Sequence, residues 1–158
     1  MNIIGLGQAG CNIAEMLSQY PQYNIFKIDA GIEGDFDFIG QYGETEERIK
    51  AYNVKKQIGP EEYENNTPSM KTFFRGMEGE TLFIIGGSGH ISAMSLRIME
   101  QIENKHELSA LYIKPDTSLL SKTKTLHEKA TYNILQNLAR SGLFKMLYLV
   151  SNTNLENI

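Results

Sequence analysis

Two glycine-rich stretches carry the chemistry in this sequence. Gly5, Gly7 and Gly10 stand at the spacing G-x-G-x-x-G, and Gly86-Gly87-Ser88-Gly89 form a second cluster. Each follows a short apolar run and precedes residues with apolar side chains at helical spacing. A turn that leaves a strand and opens a helix presents unpaired backbone N–H groups, just where the helix dipole favours negative charge. Glycine in such a turn lets a phosphate approach the backbone. Asp29 follows Gly10 by 19 residues and ends the next apolar run, the place of an acid that holds a ribose hydroxyl. One turn of this kind fits a dinucleotide fold. A second, at the end of a later strand, points to a nucleotide held between the two. The plainer alternative is that the glycines only permit tight turns and close packing of helix on strand.

The elements that must position these turns alternate along the chain. A buried strand is predicted over 2–6, followed by a helix with Ile13, Met16 and Leu17 at helical spacing that has ended by Pro21. A second strand is predicted over 24–29. Residues 31–66 read as mostly irregular, with one weak strand candidate at 54–58. Thr67-Pro68 reads as an N-cap and first-turn proline of a short helix that passes Phe73 and Phe74 and stops near Gly76. A strand over 82–85 then meets the second glycine cluster, and a helix follows over 92–102. A strand over 108–113 is stopped by Lys114-Pro115. A helix over 125–138 stacks Leu126, Ala130, Ile134 and Leu138, and a last strand covers 146–150. This pattern predicts one domain over 1–158 of the α/β class. It is expected to be Rossmann-like, three-layered, with a mostly parallel sheet and helices on both faces.

Composition narrows the function classes. The 158 residues are 41% hydrophobic, enough for one core without disulfide or metal support. Cys11 is the single cysteine and His90 and His106 have no zinc-ligand spacing around it, so a reducing, cytoplasmic setting is expected. A formal charge of -4 and a pI near 5.4 offer no basic face for nucleic acid. No apolar run reaches the roughly 18 residues of a membrane span, and no charged leader precedes the first strand pattern.

The two loops together give the sequence a resemblance to the nucleotide-binding half of the tubulin and FtsZ family. Gly5-Leu6-Gly7-Gln8-Ala9-Gly10-Cys11-Asn12 resembles that family's first phosphate loop, and Gly86-Gly87-Ser88-Gly89-His90 resembles its glycine-rich signature loop. Lys114-Pro115 and the stretch from Tyr148 to Leu155 resemble the sugar loop and the strand after it. The resemblance implies GTP or GDP as ligand, with magnesium. It implies that Gly7, Gln8, Ala9 and Gly10 face the α- and β-phosphates, with Gln8 near the metal. Gly86, Gly87, Ser88 and Gly89 would cradle the β- and γ-phosphates, with the Ser88 hydroxyl as a further donor. It also puts Asn12 at the guanine or ribose and Asp29 near phosphate and magnesium. The likeness spans nearly the whole chain but only about half of the family's length. The family's acidic catalytic loop then has no counterpart before Ile158, and the expected partners are a second copy or a longer relative.

Other residues add less. His90 beside Gly89 is a candidate phosphate donor, whereas His106 and His127 read as surface residues. Cys11 is expected to pack against the sheet, and Lys114, Lys122, Lys124 and Lys129 to form a solvated face. No Ser/His/Asp order, paired carboxylates or Gly-Lys-Ser/Thr motif is present. Two further readings stay open: an NAD(P)-dependent oxidoreductase using Gly5, Gly7, Gly10 and Asp29, and a fold that kept its sheet and serves only as an interaction module.

Overall fold

The computed structural model describes residues 1–30, 49–54, 70–87, 94–102 and 107–151. Six strands form one sheet: β1 (Asn2–Leu6), β2 (Asn24–Ala30), β3 (Ile49–Val54), β4 (Thr81–Gly86), β5 (Leu108–Lys114) and β6 (Met146–Ser151). Their order across the sheet is β3-β2-β1-β4-β5-β6, and every neighbouring pair runs parallel. Parallel neighbours need crossovers, and four described helical segments serve them: α1 (Gly7–Leu17), α2 (residues 70–74), α3 (Ser95–Glu100) and α4 (Lys122–Ser141).

The two faces of the sheet are covered by different helices. Ile3, Ile25 and Ile84 face α1, which contributes Ala14 to that cluster. Ile4, Leu6, Phe26, Ile28, Phe83 and Ile85 face the other way, against Met70 and Phe74 of α2, Ile98 and Met99 of α3 and Leu135 of α4. The central strands are therefore apolar on both sides, the composition expected of a parallel sheet between helical layers. Each fully buried Ile or Phe contributes about 1.5–3 kcal/mol relative to exposure. The expected α/β, Rossmann-like arrangement is what the chain adopts.

Two local expectations are corrected. The stretch expected to be mostly irregular holds β3 at Ile49–Val54, whose register pairs Ile49 with Ile25, and the strand candidate at 54–58 meets it at Val54, its other residues lying outside the described residues. An edge strand needs only intermittent apolar residues, so Lys50 and Asn53 obscure its pattern. In α4 the row Leu126, Ala130, Ile134 is exposed, whereas Glu128, Thr131 and Leu135 are buried. The helix also runs longer than the pattern indicates. It begins after Ser121, whose side chain accepts from the Lys124 N–H at 3.2 Å, and ends at Gly142 in the left-handed conformation. Thr67-Pro68 lies outside the described residues. The helix that follows is present over 70–74 and stops before Gly76 at φ 78°.

Candidate functional site

Strand register brings the predicted turns to one edge of the sheet. Leu6, the last residue of β1, pairs with Ile28 on one side and Ile85 on the other. Gly7, Asp29 and Gly86 are therefore level with one another, one residue beyond those pairs. Gly86 pairs in turn with Ile113, which places Lys114 and Pro115 along the same edge. The order β3-β2-β1-β4-β5-β6 reverses direction between β1 and β4, and ligands of open α/β sheets bind at that switch, beyond the C-terminal strand ends. Both glycine turns stand there. A Cβ added to Gly86 would lie 3.3 Å from the Ala9 methyl, so the second turn packs directly on the first turn of α1.

The glycines of the first turn have different reasons for being glycine. A Cβ on Gly5 would collide with the Gly10 carbonyl, and one on Gly10 with the Ile84 carbonyl, so these two let α1 lie directly on β1 and β4. Gly7 has φ 71° and nothing within 4 Å of its absent side chain. It turns the chain from strand to helix and leaves open space in front of the backbone. The end of α1 is uncapped: Leu6 supplies no side-chain hydrogen bond and the first turn holds no acid. Gln8 and Ala9 are exposed on that turn, and Asn12, four residues after Gln8, is exposed on the same helix face.

Gly87 has a packing reason of its own. A Cβ there would collide with the Tyr112 hydroxyl and come within 2.7 Å of Pro115 Cδ. Gly87 N–H donates to the Ile113 carbonyl at 3.0 Å, which holds the start of the second turn against β5. The Tyr112 hydroxyl donates to the Glu128 carboxylate at 3.1 Å, both side chains being buried. The Tyr112 ring stacks on Tyr132, over which Lys114 Nζ lies 4.8 Å from the centroid. Burial, then the Glu128 charge, pushes the Tyr112 hydroxyl well above the usual tyrosine range. Sequence reasoning did not find this Tyr112–Glu128 support. Its only signal was an acid interrupting an otherwise amphipathic helix. Ser88, Gly89 and His90, the rest of the expected second loop, lie outside the described residues.

Cys11 of α1 is a packed thiol. Its Sγ lies 3.4 Å from the Gly5 carbonyl and 3.6 Å from that of Ile28, and it is 3% exposed. Burial, with the Asp29 carboxylate adding to it, pushes the thiol up to about 12. Lys27, next along β2, is enclosed and ion-paired with Glu15 of α1. Burial pushes its ammonium down to about 8, against the opposing charge of Cys11. Asp29 itself is half-buried at the strand end. On the β5 side, the Ser118 hydroxyl and N–H donate to Asp116 at 2.7 and 3.0 Å, holding that carboxylate below its usual range.

Among the described residues, no group of three or more His, Cys, Asp or Glu side chains is placed to hold a metal ion. No described helix is long and apolar enough to cross a membrane. His127 is exposed on α4, as are Lys122, Lys124 and Lys129. Compared with known proteins, the chain matches no family model and no curated protein sequence.

Proposed function

We propose that this chain binds a nucleotide, GTP or GDP, by its phosphates at the switch point between β1 and β4, and acts through contacts with other subunits in the manner of the tubulin and FtsZ family. The observation that carries the reading is the meeting of the two glycine turns, with Gly7 at an uncapped helix start, no atom standing where its side chain would be, and Gly86 packed on Ala9 of the same helix. Backbone N–H groups of Gly7, Gln8, Ala9 and Gly10 would meet the α- and β-phosphates, and Gly86 and Gly87 would begin the cradle for those beyond. Asn12 faces the same side of α1 as Gln8 and would reach the base or ribose. Magnesium, for which Gln8 and Asp29 would offer side-chain oxygens among the described residues, would be held chiefly by the phosphates themselves and by water. The acting unit is then a copy docked on a second copy or on a longer relative that brings a catalytic loop.

A second reading has an observation of its own. The strand order is that of dinucleotide-binding domains, and Gly5, Gly7 and Gly10 divide the labour of turn, open approach and close packing as those domains require. In that reading Asp29 holds the ribose of NAD. Calorimetric titration with GTP and with NAD, each with and without magnesium, separates the two. GTP binding strengthened by magnesium supports the first reading, and binding of NAD alone replaces it with the second. Binding of neither sinks both and leaves an interaction module.

A further inference from the structure

The parallel sheet has a second edge, and a cavity of 570 Å³ opens there, within the range of small-molecule sites. Asn2 and Asn24, the first residues of β1 and β2, form part of its wall, so it lies beneath the N-terminal strand ends. The five residues of β1 separate it from the glycine turns, a span of roughly 16 Å at the usual rise of a strand. It is a different place from the crevice at the switch point, and nothing in the proposed function uses it.

Its lining has a definite chemical character. Tyr20 and Tyr23 meet edge to face at 6.2 Å, and Phe26 has Lys50 Nζ 5.5 Å from its ring centroid. Arg75, exposed on the turn after α2, also lines the space. Among the described residues neither Lys50 nor Arg75 forms an ion pair, and Glu78 is the single carboxylate in the wall. A chain of net charge -4 thus presents a cavity with two cations against one acid, framed by aromatic rings. Cations in a cavity walled by aromatic rings recognise a planar ring that carries an anionic group.

We propose that this cavity is a second binding site, for a small aromatic anion bearing a phosphate or carboxylate, with Arg75 and Lys50 taking the charge and Tyr20 and Tyr23 the ring. Phenyl phosphate and benzoate are the probes, followed by amide NMR shifts and titrated to saturation in the intact chain. Saturable shifts of Tyr23, Asn24 and Arg75 that leave Gly7 and Ala9 still are expected. The exposed side chains allow Lys50→Gln with Arg75→Gln to fold with an unchanged melting temperature, and this variant should bind about tenfold or more weakly. Tyr20→Ala should weaken phenyl phosphate while leaving any response to inorganic phosphate unaltered. Shifts confined to Gly7–Cys11, absence of shifts, or equal affinity of parent and charge variant each overturn the proposal. Inorganic phosphate matching phenyl phosphate in affinity overturns the role of the ring. Loss of GTP binding has no bearing on this result, because the two sites lie at opposite sheet edges.

Discussion

Gly7 and Gly10 are three residues apart and should respond to the same substitution for different reasons. Gly7→Ala introduces a Cβ into open space at a left-handed φ, costing about 1–2 kcal/mol of strain but no collision. Gly10→Ala drives a methyl into the Ile84 carbonyl, and separating α1 from β4 costs about 1–3 kcal/mol or more. In the proposed function Gly7→Ala loses at least about tenfold in GTP affinity with a folded chain, measured by calorimetry beside a urea midpoint. Undiminished affinity would remove the first turn from the site. Lys27 gives a pH signature. Its native pKa of about 8 lies below the ordinary 10.5, so between those values the unfolded chain binds a proton that the native chain does not. Stability therefore rises with pH as Lys27 loses its proton, and the penalty for burying its charge is fully present below pH 8. Cys11 has the opposite sign, because its native value of about 12 exceeds the ordinary 9, and it lowers stability from pH 9 upward. Stability from urea melts should thus climb by about 1 kcal/mol between pH 8 and 9 and then level or fall. Lys27→Met should abolish the climb, and a flat parent profile over that interval would refute the assignment.

At the scale of elements, β5 and α4 jointly support the second glycine turn through Tyr112 and Glu128. Tyr112→Phe leaves a buried carboxylate without its donor and should cost about 1–3 kcal/mol. Gly87→Ala should cost a similar amount by forcing its methyl into the Tyr112 hydroxyl. Because Tyr112→Phe deletes the struck atom, the double variant should fall short of the sum by about 0.5 kcal/mol or more. Strict additivity in urea melts would show that the turn and Tyr112 are independent. The same two elements show what the sequence could and could not reveal. The glycine turns and the central strands were legible because continuous apolar runs ending in glycine have few other solutions. The buried face of α4 was not, since periodicity favours Leu126 and Ile134 over Glu128. Only the position of Tyr112 across the helix–sheet contact makes an acid the inward residue. Likewise the spacing of Gly5, Gly7 and Gly10 was visible, but which of them face protein and which faces open space depends on backbone separations that no spacing encodes.

For the whole molecule, the proposed function predicts ligand binding without turnover. Phosphoryl transfer to water needs a positioned nucleophile besides a cradle, and among the described residues the crevice edge offers glycines, Asp29 and the Lys114-Pro115 corner but no paired acid to orient water. Phosphate release per molecule should stay at background across a concentration series in the presence of GTP. A specific rate that climbs with protein concentration would show that two copies complete a site and would refute this expectation. The placement of β1 at the centre of the sheet has a further consequence, which concerns time. Asn2 lies 22 residues from its partner Asn24 on one side and 79 from Thr81 on the other. At a synthesis rate of about 5–20 residues per second, β1 leaves the ribosome roughly 4–16 seconds before β4 exists to cover its second flank. During that interval the nascent chain can pair β1 with β2 but has an unfinished border at the middle of its future sheet. The crevice cannot form before β4 has been made, so any ligand that occupies it can stabilise the paired strands but cannot guide the first pairing of β1 with β2.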